Sequence, residues 1–345
     1  MRVLIEDYRN LTAEHCGSGS MRNLLFHYCG LELDEAVVFG LGSGLDCMFL
    51  SVVTERPPFM LFGRGASMEA DLASALGLDY RETRQADDNL AWSEVAAEVA
   101  AGRPTMLSGD ILYLDYREYK VHFPGHRFVL LGYDDELQDT YLADRTDVET
   151  QTCSMQGLRL SRNAPVGISS ENLWGKFYSG DVQHSLGEAC ETALKRTTGR
   201  MLGSDHPQVF GAGLTGLVGF DSGLAGIQTL ANAMDSWPCG EEALIYARYI
   251  DNCIVKFGTG GGFFRNLFAD FIGWARVQRP DLVDAAVVDA SQKAAALWNS
   301  LADLMRDLVP TEDDCWQPAQ QKIQEIHRVE TALFKALSLR FTERE

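Results

Sequence analysis

The spacing of apolar residues changes character about halfway along the chain. Residues 1–150 mix short apolar runs with helical spacings, whereas residues from about 180 onward carry apolar side chains almost wholly at helical steps. Met21, Leu24, Leu25 and Tyr28 recur at i, i+3, i+4 and i+7, which predicts a helix running to about Cys29 and ended by Gly30. Ser18 or Ser20 is the expected N-cap, because a hydroxyl satisfies a free helix N–H. Residues 128–131 read as a buried strand, 133–139 as a polar turn and 140–143 as the returning strand. Further on, Ala243, Ala247, Ile250, Ile254 and Phe257 describe an amphipathic helix stopped by Gly258, with Gly260-Gly261-Gly262 as a flexible connection. Ile326, Val329, Leu333 and Leu337 repeat the pattern near the end of the chain.

Between these halves, Ser161-Arg162-Asn163-Ala164-Pro165 and Gly167-Ile168-Ser169-Ser170 are turn formers without periodicity. The boundary is therefore placed there, giving an α+β domain over 1–163 and an all-helical domain over 164–345. A glycine-rich stretch, Phe210-Gly211-Ala212-Gly213-Leu214-Thr215-Gly216, lacks the Lys-Ser/Thr and the preceding strand of a phosphate-binding loop, so it reads as a connection between helices.

Charge narrows the choice of partners. The net charge is −19, and residues 1–150 hold 26 acids against 12 bases. Such a surface repels nucleic acid and anionic lipid, and it favours a cationic small molecule such as a polyamine or aminosugar, or serves solubility alone. No apolar stretch approaches the roughly 20 residues needed to cross a bilayer. Acids interrupt the N-terminal segment where a signal peptide would need an apolar run, so the expectation is a cytoplasmic protein without membrane contact. The eight cysteines form no Cys-x-x-Cys pair and no zinc-ligand spacing with histidine. Neither a metal site nor a disulfide scaffold is expected, and most of these thiols read as small buried hydrophobes.

One cysteine stands apart. Cys16 falls at or just before the start of the first helix, where free N–H groups and the positive end of the helix dipole favour thiolate, the nucleophilic form. Gly17 and Gly19 leave room for a substrate. A second element follows 110 residues later, with His126 opening the first strand of the hairpin and Asp144 closing the second. If the turn centres on Asp135, positions 126 and 144 lie opposite each other on one face, and a shift of a residue or two still leaves them neighbours. A carboxylate beside an imidazole orients it and stabilises the imidazolium that a nucleophilic cysteine needs from its general base.

The block His15-Cys16-Gly17-Ser18-Gly19-Ser20-Met21-Arg22-Asn23-Leu24-Leu25, with Glu35-Ala36 and Phe39-Gly40-Leu41-Gly42-Ser43-Gly44-Leu45, resembles the N-terminal domain of the butirosin-biosynthesis H acyltransferase family. The stretch from Gly258 to Phe271, Gly-Thr-Gly-Gly-Gly-Phe-Phe-Arg-Asn-Leu-Phe-Ala-Asp-Phe, resembles the helical domain that accompanies it. More distantly, the cysteine with the His126–Asp144 pair is similar to the bacteriocin-processing cysteine peptidases of the papain-like superfamily.

The resemblance implies a papain-like N-terminal domain with Cys16 as nucleophile, His126 as general base and then acid, and Asp144 as the orienting carboxylate. It also implies acyl transfer from a thioester, on an acyl carrier protein or a coenzyme, to the amine of a small molecule. No cofactor is expected, with phosphopantetheine entering only as part of the donor. The Cys16 N–H would stabilise the oxyanion together with one side chain. The superfamily takes that donor from an amide six residues before the cysteine, where Asn10 stands in place of the usual Gln; His15 is either the other candidate or a surface residue beside the nucleophile. Ser18 is a further substrate-contact candidate. Arg22 and Arg127 are expected either to meet a donor phosphate or carboxylate or to form structural ion pairs. A cysteine hydrolase sharing the triad and a non-catalytic binding or scaffold protein are the alternative readings. The C-terminal half is expected to close over the site or to build a homodimer interface.

Overall fold

A computed structural model describes residues 1–166, 169–204, 214–310 and 314–342. Gly167, Ile168 and residues 210–213 of the glycine-rich stretch, all singled out above, lie outside the described residues. The chain begins β1 (Arg2–Leu4), α1 (Cys16–Cys29), α2 (Glu35–Leu41), β2 (Leu45–Val52), β3 (Phe59–Arg64), α3 (Met68–Leu76) and β4 (Tyr80–Thr83). It continues α4 (Asp88–Ala100), β5 (Thr105–Gly109), β6 (His126–Asp134), β7 (Asp139–Ala143), β8 (Gln151–Ser154), α5 (Met155–Arg162) and β9 (Trp174–Phe177). The remainder is α6 (Leu186–Leu202), β10 (Leu217–Asp221), α7 (Gly223–Ala233), α8 (Ala243–Asp251), α9 (Arg265–Gln278), α10 (Ala285–Arg306) and α11 (Gln317–Thr342). The fold is thus mixed α+β with antiparallel sheets and a helix-rich C-terminal region.

The chain divides into two compact units, Met1–Val38 with Gly77–Gln183 and Phe39–Leu76 with His184–Glu345. The expected cut between 163 and 164 falls inside the first unit. The cut also missed that residues 39–76 leave the first unit and join the second. Local periodicity carries no signal for such an excursion, because strands pair with partners far away in sequence.

In the first unit a seven-stranded antiparallel sheet runs β4-β9-β5-β6-β7-β8, with β1 added to β6. All nine residues of β6 are buried, as expected for a strand with neighbours on both edges. Phe128 and Leu130 from β6 join Leu107, Leu142, Trp174 and the α4 residues Val95 and Val99 in one apolar cluster. Near its turn the β6–β7 ladder pairs Asp134 with Asp139 and Gly132 with Tyr141; beyond a register shift it pairs Leu130 with Leu142 and Val129 with Ala143. Gly132 sits at this irregularity because a Cβ there would lie 2.3 Å from the Val3 carbonyl oxygen of β1.

The second unit is not all helical, contrary to the expectation for the C-terminal half. A three-stranded antiparallel sheet, β10-β2-β3, forms part of it, and β2 and β3 come from the 39–76 excursion. β10 lies directly after the glycine-rich stretch and is short, so its pairing with β2 was invisible from local spacing. Helices α9, α10 and α11 pack on one another around a buried ion pair, Arg265 to Glu330, in which Nε and Nη2 each donate at 2.9 Å. Trp298 Nε1 donates to the same carboxylate at 2.7 Å. The expected flexible Gly260-Gly261-Gly262 connection is instead a defined turn. All three glycines have positive φ (66°, 81° and 57°), and Asn266 and Thr259 bond its backbone.

Candidate active site

Helix α1 begins at Cys16 because His15 caps it. His15 has extended backbone angles (φ −116°, ψ 132°), and its Nδ1 accepts the Ser18 N–H at 3.1 Å. The expected serine cap is therefore corrected. Imidazole is outside the usual capping set, so the residue pattern gave it no weight. No acidic residue occupies the first turn, leaving the positive end of the helix directed at a thiol that is 6% exposed.

His126 comes to the same place from the first position of β6, and its Nε2 lies 2.9 Å from Asp144 Oδ1. The ring also acts on the Cys16 thiol and lowers it. With Nε2 committed to Asp144, Nδ1 is the nitrogen that serves the sulfur. The expected direct opposition of 126 and 144 does not occur, since the turn spans 135–138. Continued past Ala143, the ladder sets Asp144 opposite Phe128, two residues from His126 and on its face. The register shift makes this possible. Had the near-turn register persisted, Asp144 would face Val129 and project from the other side of the sheet. The Phe128 ring stacks beside the His126 imidazole, with centroids 5.8 Å apart.

Burial opposes charge at all three groups, and their mutual contacts overcome it. The Cys16 thiol is held well below its ordinary range, since hydrogen bonds from His126 and His15 and the charges of both rings outweigh desolvation. Burial likewise disfavours the imidazolium of His126, yet the Asp144 charge and hydrogen bond, followed by the contact with Cys16, raise it well above the usual histidine range. Asp144 is driven far below the carboxylate range by His126, then by Tyr116 and the Arg145 N–H, against its own desolvation. These shifts favour a thiolate–imidazolium pair with a carboxylate behind it.

Three side chains sustain it that the sequence did not single out for function. Tyr116 donates its hydroxyl to Asp144 Oδ2 at 2.7 Å. Arg145, whose N–H binds Asp144 Oδ1 at 2.7 Å, also donates from its guanidinium to the Ala13 and Glu14 carbonyls, and Ala13 N–H returns a bond to the Arg145 carbonyl. The loop before Cys16 is thereby fastened to the chain after Asp144. Glu35 accepts from the Glu14 and His15 amides and from the Ser18 hydroxyl, at 2.8–2.9 Å. An aromatic hydroxyl and an arginine outside any motif give no spacing signal; only Glu35 stood among the residues that carried the resemblance.

Other expected site residues prove to be supports. Asn10 commits its Nδ2 to the Asp144 and Asp147 carbonyls (3.0 and 2.6 Å), so both N–H bonds are occupied and its assignment as oxyanion donor is corrected. Its Oδ1 accepts from Asn23 at 2.7 Å. Ser18 is fully buried and its hydroxyl donates to Glu35, which leaves its substrate-contact role without support. Arg22 directs Nη2 to the Leu11 and Thr12 carbonyls and Nε to Asn23, which holds the same loop and leaves the phosphate role without support. Arg127, adjacent to His126 and so on the other face of β6, takes the alternative of a structural ion pair, with Glu82 at 3.1 Å.

Among the described residues, no helix is long and apolar enough to cross a membrane, and no three His, Cys, Asp or Glu side chains are grouped to hold a metal ion. No curated protein matches the chain. Two family models do. Residues 15–145, which contain Cys16, His126 and Asp144, match the model described as butirosin biosynthesis protein H, N-terminal. Residues 156–337, more than half of the chain, match a domain of unknown function (DUF4872). The first match points to an enzyme of biosynthesis. Residues 15–145 are thus similar to the N-terminal domain of butirosin biosynthesis protein H, and the chain belongs to the family defined by the domain of unknown function DUF4872.

Proposed function

We propose that the chain is a cysteine-dependent acyltransferase with a papain-like catalytic unit, forming amides in specialised-metabolite biosynthesis. The observation that carries this reading is the Cys16 thiol, buried at a helix start and lowered by His126, whose Nε2 pairs with Asp144 at 2.9 Å. The thiolate attacks the carbonyl carbon of a thioester donor, on a carrier protein or coenzyme, and a C–S bond forms while charge moves to oxygen. The tetrahedral centre collapses and the donor thiol leaves with the proton of His126. An amine then attacks the acyl-enzyme, gives its proton to His126 and departs as the amide. Exchange between thioesters is nearly isoenergetic and amide formation runs downhill, so the donor thioester drives synthesis and burial of the thiol serves to limit competing hydrolysis. The negative charge of the chain suits a cationic amine acceptor and a cytoplasmic setting.

The test is intact-mass spectrometry after incubation with a panel of acyl thioesters, repeated with Cys16→Ala. An adduct mapping to Cys16, discharged as amide when an amine is added, is the expected result. Discharge by water at the same rate without amine would assign a hydrolase instead. Full turnover by Cys16→Ala would refute the mechanism.

A further inference from the structure

The second unit holds a pair of thiols unrelated to this chemistry. Cys239 and Cys315 lie 76 residues apart in sequence, and their sulfurs are 2.9 Å apart with the Cys315 S–H directed at Cys239. A covalent S–S bond measures about 2.05 Å, so bonding requires only a small approach. Both thiols are half-buried and therefore within reach of a small reagent, unlike the buried Cys47, Cys153, Cys190 and Cys253.

Neighbouring side chains hold the two segments in place. Trp316 Nε1 donates to the Pro238 carbonyl at 3.0 Å, and the Trp316 ring meets Trp237 edge-on with centroids 5.1 Å apart. Trp237 in turn stacks on Phe59 at 4.9 Å. The residues adjoining each cysteine are thus fixed against one another before any bond forms, which gives the thiols a high effective concentration. Cys315 keeps its proton: burial, then its hydrogen bond to Cys239 and that thiol's charge, push it up to about 12.

We propose that Cys239 and Cys315 form a reversible disulfide when the protein meets a low-molecular-weight disulfide of the glutathione class. Cys239, the acceptor in the contact, attacks one sulfur of the oxidant, and the first small thiol leaves. Cys315 gives up its proton, displaces the second small thiol and closes the bridge. Two protein thiols and one small disulfide become one protein disulfide and two small thiols, so the electrons balance. The bridge links the turn at Gly240–Glu242, just before α8, to the start of α11.

The test is a peptide map of the full chain after exposure to oxidised glutathione, with free thiols blocked by N-ethylmaleimide and digestion without reductant. The expected product is one cross-linked peptide pair containing Cys239 and Cys315, abolished by dithiothreitol and accompanied by a higher thermal midpoint. Cys315→Ser should trap glutathione on Cys239. Recovery of both cysteines as maleimide adducts, or as two separate glutathione adducts in the unsubstituted chain, would overturn the proposal. The map of the unsubstituted chain decides alone if the variant does not fold.

Discussion

Replacing Asp144 with Asn tests whether the carboxylate does more than hold shape. Asn keeps nearly the same volume and an Oδ1 that accepts from His126 Nε2, Tyr116 or the Arg145 N–H, but it removes the charge facing the imidazolium. A hydrogen bond to a charged partner contributes about 1.5–3 kcal/mol against about 1 kcal/mol for a neutral one. Losing the difference, about 0.5–2 kcal/mol, lowers the His126 pKa by about 0.4–1.5 units at 1.36 kcal/mol per unit. The signs follow from the two shifts in the site. His126 is raised, so the imidazolium persists as pH rises until its folded pKa is passed, and Asp144→Asn brings that limit down. Cys16 is lowered partly by the same imidazolium, which is fully protonated in both proteins at the acid limit, so that limit does not rise. The His126 titration followed by NMR should therefore move down by this amount, while the acid limit of Cys16 alkylation by iodoacetamide does not move up. An unchanged His126 titration in a folded Asp144→Asn variant, checked by circular dichroism, would refute the electrostatic role of the carboxylate.

Three further outcomes follow from the same geometry. His126→Ala removes the main partner of the thiolate and should slow Cys16 alkylation near neutral pH by about tenfold or more, the effect of a lost charged hydrogen bond; an unchanged rate would deny it the role of base. Tyr116→Phe deprives Asp144 Oδ2 of its donor and should cost about 1–3 kcal/mol in urea unfolding at pH 7. It also lets the depressed Asp144 pKa rise, so stability that is full above the ordinary carboxylate range is lost earlier on acidification than in the unsubstituted chain. Glu330→Leu leaves the fully buried Arg265 guanidinium uncompensated and should destabilise the protein by about 3–5 kcal/mol, read from the urea midpoint.

Those features of the site that depend on nearest neighbours in sequence were legible. Cys16 at a helix start follows from Met21, Leu24, Leu25 and Tyr28, and Gly30 closes that helix in the left-handed conformation expected of it. The hairpin carrying His126 and Asp144 follows from its two apolar runs. What periodicity could not supply was anything set by distant pairing. The register shift beside Gly132 arises where β1 crowds β6, and the departure of residues 39–76 to the second unit arises from pairing with β10. Side chains with two plausible partners were also opaque. Asn10 and Arg22 carry the right groups for an oxyanion or a phosphate, and only the fold reveals that backbone carbonyls have taken them.

The irregular ladder of β6 and β7 makes the hairpin sensitive to parity in a way its length alone does not suggest. Extra residues in the turn at 135–138 extend a loop beyond both arms and leave the distal pairing untouched. Removing a single residue of β7 between Asp139 and Ala143 would instead shift the distal register by one and rotate Asp144 through to the opposite surface of the sheet, however well the strand itself survived. Length variation in descendants of this chain is thus permitted at the tip of the hairpin and forbidden along its arm, a rule enforced by counting rather than by the chemistry of any side chain.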